Sequence, residues 1–459
     1  MTDVLKSSAT EAAAMIRRKE ISSRELTEAL FAHIDETNPG INAVIAFRRD
    51  EAMNEAAAAD DALARGDDVG PLHGVPMTIK ESFDVAGLHT TWGNPEFADP
   101  VAQEDSTVVA RLRQAGAIII GKSNVAFMLS DIQTANPLFG VTNNPADRAR
   151  TPGGSSGGAA AALASGMTFL EYGTDLSGSI RTPASFCGVY GLRPTAETVP
   201  PTGMAPPGPP GVPVAMTGLT AVGPLARTAA DLRLALQVTA GPEGPEAKAL
   251  TWRLPAPRHR DLADFRIRFV LDDPTAPVSG EVVDALSNTI DAITAAGATV
   301  VEGWPDGMDP AAQFRDFGFH LDAFFALQGD GALSHKAFIE ADNRRMETRA
   351  AWARSFDDVD VFLCPTNSTP AFPHDERPFD ERTFDTTNGP RRYHEQFFWT
   401  SHASLSGLPA ASAPIGTTPS GLPVGMQIIG PHFEDDTVLT FAETVREFNP
   451  SGGETRARG

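Results

Sequence analysis

The chain has 459 residues, 41% of them hydrophobic and 21% charged, the mix of an ordinary folded protein, which excludes wholesale disorder, collagen and coiled coil. At about 150 residues per domain this length allows roughly three units or one large domain, able to bury most of its surface without staples. A net charge of −22 argues against a nucleic-acid binder, which carries a basic balance, and against docking on anionic membranes.

The first residues, MTDVLKSSATEAAAMIRRKE, lack a basic stretch followed by an apolar one, so no secretory signal is read there. Ser22 and Glu25 have the spacing of a capping box. Leu26, Leu30 and Ile34 then share one helical face, and Asn38-Pro39-Gly40 stops the helix. Residues 51–65 read as a second helix ended by Gly66. These N-terminal helices show no obvious need for core burial, which makes a homodimer possible. Val75–Lys80 reads as a strand after the Pro71 and Gly74 turn signals. Asp105 or Ser106 caps a helix through Gln114, and Ala117–Ile120 is a buried strand. Thr168–Tyr172, Ile267–Leu271, Thr299–Val301 and Val361–Leu363 read as further strands, with helices between several of them such as 281–295. Strands alternating with helices predict an α/β fold, here one large domain with a mixed, mostly parallel sheet covered by helices.

Residues 200–213 hold seven prolines and three glycines in fourteen positions and read as a stiff surface loop. Residues 241–260 form a second, more polar linker, and the tail after Asn449 is expected to fray. No run approaches about eighteen strongly apolar residues, and the cytosol is the expected compartment. Two cysteines, Cys187 and Cys364, are too few for a disulfide framework or a Cys-rich zinc site.

The chemistry concentrates in 151–195, TPGGSSGGAAAALASGMTFLEYGTDLSGSIRTPASFCGVYGLRPT. Two Gly/Ser loops, 153–158 and 173–179, flank a helix of small residues and a strand. Small residues permit close backbone approach, and the N–H groups of such loops can converge on a phosphate or a developing oxyanion. Two motif matches lack their mechanism. Gly116–Ser123 fits a phosphate-loop spacing, but its interior is an apolar strand-like run. Gly153–Gly157 fits a nucleophile elbow, whose fold needs an acid and a histidine downstream. His320, His374, His394 and His402 sit in no recognisable context, and Phe398 stands where a zinc-binding HExxH would need histidine. No metal and no cofactor is expected.

The chain resembles the amidase signature family. The resemblance rests on GGSSGG (153–158), GTDLSGSIRTPASFCGVYGLRPT (173–195) and GVPMTIKESFDVAG (74–87), with weaker echoes through 121–154, 223–236, 364–372 and 420–436. It implies one family domain over 1–448, with N-terminal helices to about 65, a signature core over about 70–240 and a variable pocket region over about 260–400. It implies a Ser–Ser–Lys triad: Lys80 as base, Ser155 as bridging hydroxyl, Ser179 as nucleophile. Backbone N–H groups of Leu176, Ser177, Gly178 and Ser179 would form the oxyanion hole. The physical logic is independent of the resemblance. An alcohol needs a base within reach, burial can leave a lysine neutral, and a hydroxyl relays in either direction because it both donates and accepts.

Two positions depart from the family pattern: Ser177 where a glycine is common, and Glu81 where aspartate is commoner. Asp175 and Arg181 bracket the nucleophile loop and read as an ion pair supporting it, with Thr174 as a neighbouring hydroxyl. Taken alone, Ser179 also fits a helix N-cap before Ile180. The aromatic stripe Phe314, Phe317, Leu321, Phe324 and Phe325 and the cluster Tyr393, Phe397, Phe398 and Trp399 are mostly core in character. If they meet over Ser179 they make an apolar pocket, and Asp131 and Gln133 are further candidates for its wall. Phe317, Phe324, Phe398 and Asp131 are the substrate contacts expected from this reading. The predicted activity is cleavage of a small-molecule carboxamide, an apolar aryl or aliphatic amide, through an acyl-serine. Two alternatives stay open. One is the A-type subunit of an amidotransferase complex, against which the Pro-rich continuation after Leu192-Arg193-Pro194-Thr195 argues. The other is a non-catalytic binding protein on the same fold.

Overall fold

Ser8 and Ser22 each accept a hydrogen bond from the backbone three residues on, and Glu11 and Glu25 return one, so two capping boxes open α1 (Ala9–Arg17) and α2 (Ser23–Thr37). A computed structural model of the chain describes residues 4–204, 218–326, 333–386 and 389–445, with the backbone alone at 325–326. β1 (Val44–Phe47) and α3 (Arg49–Arg65) follow, and Gly66 ends the helix in the left-handed region at φ 79°. β2 (Pro76–Lys80), α4 (Thr107–Gln114, capped by Ser106) and β3 (Ile118–Ser123) come next. β3 pairs antiparallel with β1 and parallel with β2 in a small three-stranded sheet. The phosphate-loop lookalike is therefore largely strand, with Lys122 inside it, buried and donating to backbone carbonyls.

Two short strands, β4 (Ala135–Asn136) and β5 (Gly140–Val141), lead to α5 (Gly157–Ala164), β6 (Glu171–Asp175), α6 (Arg181–Cys187), β7 (Tyr190–Arg193), β8 (Ala221–Ala226) and α7 (Ala229–Thr239). Then come β9 (Arg266–Phe269), α8 (Gly280–Ala295), β10 (Thr299–Glu302), α9 (Pro310–Ala326), α10 (His335–Ser355) and β11 (Val361–Pro365). The chain continues through β12 (Thr383–Thr386), β13 (Gly389–Arg392), α11 (Phe398–Ser406), β14 (Ala410–Thr417), β15 (Pro423–Ile429) and α12 (Asp435–Val445).

Eight strands form one mixed sheet in the order β10-β9-β11-β15-β14-β7-β8-β6, flanked by helices in a single α/β domain. The sheet is mixed as expected but not mostly parallel. Only β10/β9 and β9/β11 are parallel; the other five pairings are antiparallel. The cause is local. β14 and β15 form a hairpin across a short turn, and a hairpin is antiparallel by construction. β8 inserts between β6 and β7, which α6 connects. Strands buried on both faces read as apolar runs whichever way they point, so the sequence pattern does not carry direction.

The helices α1 and α2 bury Ala9, Ala12, Ile16, Leu26 and Leu30 in the main core. Their apolar faces are covered by their own chain, so the premise that suggested a homodimer does not hold. A smaller cluster of Leu219, Phe317 and Leu405, with Leu176, Phe314, Leu321 and Phe397 packed on it, stands apart from that core. Residues 205–213 of the Pro-rich loop and the tail after Asn449 lie outside the described residues. Among the described residues no helix is long and apolar enough to cross a membrane.

Candidate active site

β2 delivers Lys80 at its end, with every residue of the strand buried. The Lys80 side chain has no solvent exposure. Its Nζ donates to Ser155 Oγ at 2.8 Å and to Thr174 Oγ1 at 2.8 Å. Burial pulls the Lys80 pKa down to about 7, against the opposing pull of Asp175, Glu171 and Glu81. The amine is thus brought close to a neutral form at physiological pH.

Ser155 sits in the first Gly/Ser loop, just before α5. The loop is tied by Thr134, whose hydroxyl donates to the Gly153 carbonyl at 2.8 Å and accepts from the Gly157 N–H at 3.0 Å. Gly154 is required here because a Cβ would fall 2.5 Å from the Asp131 carbonyl oxygen. The Gly154–Ser155 peptide bond is cis.

The second loop is folded by one carboxylate. Asp175 Oδ1 accepts from the Gly178 N–H at 2.8 Å, and Oδ2 accepts from Ile180 and Arg181 N–H at 3.2 and 3.3 Å. The Arg181 guanidinium grips the same carboxylate at 2.9 and 2.8 Å. It also donates to Thr400 O, Ser404 Oγ and Gln427 Oε1. Burial works against the Asp175 anion, but Arg181, and then Arg193, hold its pKa well below the usual carboxylate range. Gly178 takes φ 109°, a conformation that favours glycine.

These bonds decide which backbone donors remain. The Gly178 N–H points into Asp175, which corrects its expected place in the oxyanion hole. The N–H groups of Leu176, Ser177 and Ser179 make no hydrogen bond among the described residues. Ser179 does not cap α6, whose N-cap is Ile180 without a side-chain bond. The two loops meet through the Ser156 N–H, which donates to the Ser179 carbonyl at 3.2 Å. Among the described residues no hydrogen bond joins the Ser155 and Ser179 hydroxyls.

Ser179 opens onto a cavity of about 1220 Å³. Asp131, Gln133 and Phe317 line it as expected, together with Leu176 and Ser177. The two aromatic clusters do converge: Phe314 meets Phe398 edge-on at 5.6 Å. The wall, however, is made by Phe314, Phe317, Leu321, Phe379 and Phe397. Phe398 is fully buried against Trp304, Trp399 and His402 and does not line the cavity. A one-residue step, from Phe397 just before α11 to Phe398 at its start, exchanges pocket for core. Phe324 is half-buried and also off the cavity wall, and the Phe325 side chain is outside those described.

Sequence reasoning missed Phe127, Leu129, Phe379 and Arg382 in the wall, and it found no recognisable context for His374 and His394, although both line the cavity. No local motif marks them, since the fold gathers them from separate loops. Arg382 donates to Asp131 Oδ2 at 2.6 Å and Tyr393 to Asp131 Oδ1 at 2.9 Å, so Asp131 is held within the wall. His402 is fully buried, with its Nδ1 3.2 Å from Gln313 Oε1, and burial lowers its pKa to about 3. Cys187 is buried and burial pushes its thiol pKa up, the opposite of what a reactive thiolate needs. Among the described residues no cluster of three or more His, Cys, Asp or Glu is arranged to hold a metal.

Comparison with known proteins identifies the family. The Amidase family model matches residues 25–314 and 306–439. An acylamidase of Rhodococcus erythropolis is 32% identical over 467 residues, covering 96% of this chain and 95% of its own. The A-type subunit of the glutamyl-tRNA(Gln) amidotransferase of Thermosynechococcus vestitus is 31% identical over 481 residues, covering 94% and 96%. The crystal structure of a bacterial aryl acylamidase of the amidase signature family superposes with a TM-score of 0.82 at 25% identity, covering 96% of each chain. The chain therefore belongs to the amidase signature family and is an enzyme for the hydrolysis of amide C–N bonds.

Proposed function

We propose that this chain cleaves a small apolar carboxamide through an acyl-Ser179 intermediate, with Lys80 as general base and Ser155 as the bridging hydroxyl. The observation that carries this reading is the buried Lys80 amine, its pKa lowered to about 7, donating at 2.8 Å to Ser155 Oγ. In the reactive arrangement Ser179 Oγ attacks the amide carbonyl while its proton passes to Ser155, whose own proton passes to Lys80. This reading requires the Ser179 hydroxyl to come within hydrogen-bond reach of Ser155. The tetrahedral oxyanion is held by the N–H groups of Leu176, Ser177 and Ser179, and each such donor contributes about 3–4 kcal/mol to lowering a barrier of this type. The relay then reverses, protonates the leaving nitrogen and lets the C–N bond break. Water, deprotonated by the same path, attacks the acyl-enzyme and releases the acid.

The apolar wall of Phe314, Phe317, Leu321, Phe379 and Phe397 supports an aryl or aliphatic acyl group as the bound half. A fluorophosphonate probe tests the assignment. Covalent label at Ser179 in the wild type, lost in Ser179→Ala, is expected; no label in folded protein overturns it and favours a binding role.

The relatives named as amidotransferase subunits favour a second reading, in which this chain works within a larger complex of several chains. Turnover of simple amides by the purified single chain, at a rate unchanged by candidate partner chains, decides against it.

A further inference from the structure

The wall that α9 gives to the cavity is interrupted at its middle. Phe314, Phe317, Gly318 and Leu321 all line the cavity. Their spacing of three and four residues puts Phe314, Gly318 and Leu321 in successive turns of one helical face, with Phe317 beside them. Gly318 lies midway along a 17-residue helix. A glycine inside a helix is less favourable than an alanine, because its backbone loses more freedom on folding.

The two usual structural reasons for a glycine do not apply here. Its φ is not positive, so the backbone does not ask for one. A Cβ built on Gly318 would meet nothing within 4 Å beyond its chain neighbours and the local helix backbone, so packing does not ask for one either. Gly154 and Gly178 contrast with it, since a Cβ on the first would fall 2.5 Å from the Asp131 carbonyl oxygen and the second takes φ 109°. Other glycines with open space around them, such as Gly87 at φ 87° and Gly421 at φ 88°, sit in the left-handed region. What the missing side chain of Gly318 leaves is space, and that space lies on the cavity wall.

We propose that Gly318 is a specificity-determining residue: by withholding a side chain from the apolar wall it opens a slot between Phe314 and Leu321 that admits the larger apolar half of the amide. This rests on the reading of the cavity around Ser179 as the substrate site. The chemistry of the occupant follows from the neighbours. Phe314, Phe317 and Leu321 offer no polar partner, so a charged group in the slot would lose its water without compensation. Arg315 and Asp322 of the same helix border the cavity but are exposed. A ring or a branched chain without charge is the group that fits. The unfavourable glycine is then a stability cost that function retains.

The test compares the wild type with Gly318→Ala and Gly318→Leu on two series of amides. One series holds the amine constant and enlarges the acyl group, as the 4-nitroanilides of acetic, butyric, hexanoic and phenylacetic acid. The other holds acetyl constant and enlarges the amine, from methylamine to aniline to 2-naphthylamine. The ratio of kcat/KM between the largest and the smallest member is expected to fall about tenfold or more in Gly318→Leu, the scale of a small misfit in an apolar pocket, and by less in Gly318→Ala. The series in which the ratio falls identifies the half of the amide that the slot holds. The thermal midpoint of Gly318→Ala should rise, because alanine favours the helix and meets no clash. Labelling of Ser179 by a short-chain and a long-chain fluorophosphonate gives the same comparison without amide turnover. Gly318→Ala carries the comparison if the leucine variant does not fold. A ratio unchanged in both series, an equal loss for every member, or a lowered midpoint in Gly318→Ala overturns the role of Gly318 while leaving the site at Ser179 intact. No turnover and no label in folded wild type overturns the Ser179 reading instead, and the slot with it.

Discussion

Asp175 and Arg181 form an ion pair at 2.8 Å in which neither side chain reaches solvent. The same carboxylate collects the N–H groups of Gly178, Ile180 and Arg181. A single buried anion thereby sets the curvature of the loop that presents Ser179, and the cation behind it ties that loop to the Thr400 carbonyl and to Gln427 on β15.

Removing one partner of this pair should be far worse than its net contribution suggests, because the other is left charged and buried. Arg181→Met is expected to destabilise the fold by about 3–5 kcal/mol, measured by chemical denaturation. A loss under about 1 kcal/mol would show that the loop does not depend on the pair.

In the proposed mechanism Lys80 works as a base only when its amine is unprotonated. With its pKa drawn down to about 7 by burial, the plateau of kcat/KM should lie above that pH, and the rate should fall tenfold per unit below it. The sign follows from charge: acid protonates the amine and removes the base. A profile flat from mildly acidic to alkaline pH would contradict the role. Lys80→Arg, which stays cationic, should show no plateau at any pH.

In the proposed mechanism Ser155→Ala breaks the relay but leaves Ser179 and the neighbouring backbone donors in place. The expected result is a fall in kcat of about 10²–10⁴, with slow but detectable labelling of Ser179 by a fluorophosphonate. Undiminished labelling would mean that Ser155 carries no proton.

Gly178 has φ 109°, and a Cβ there would lie 2.8 Å from Thr400 Cγ2. Gly178→Ala should therefore strain the loop by about 1–3 kcal/mol and displace the free N–H groups on either side. Loss of kcat with a near-native circular dichroism spectrum is the expected pattern.

Phe397 and Phe398 are neighbours with different work. Phe397→Ala should raise KM for bulky apolar amides more than for acetamide, since Phe397 lines the cavity. Phe398→Ala should cost about 3–5 kcal/mol of stability and leave that selectivity unchanged, since Phe398 is buried among Trp304, Trp399 and His402. Swapped phenotypes would mean that the cavity wall is assigned to the wrong one of the two rings.

Ser155, Ser179, Asp175 and Arg181 stand in or beside Gly/Ser-rich runs whose spacing is dictated locally, whereas Lys80, in Val75–Lys80, was marked only by the resemblance to the family. Glycines at 153, 154 and 178 mark places where backbone approaches backbone or turns through positive φ, and that constraint is written residue by residue. The capping boxes at Ser8 and Ser22 are local in the same sense. Tertiary structure alone decided the rest. Which N–H groups stay free depends on where the Asp175 carboxylate lands. Which phenylalanine lines the cavity depends on how α11 rotates against α9. The strand directions depend on a hairpin and an inserted strand. The hydrogen bond of Lys80 to Thr174 depends on β2 and β6 meeting across a long stretch of chain. Each is a contact between segments far apart in sequence, and the burial that shifts a pKa exists only once those segments have packed together.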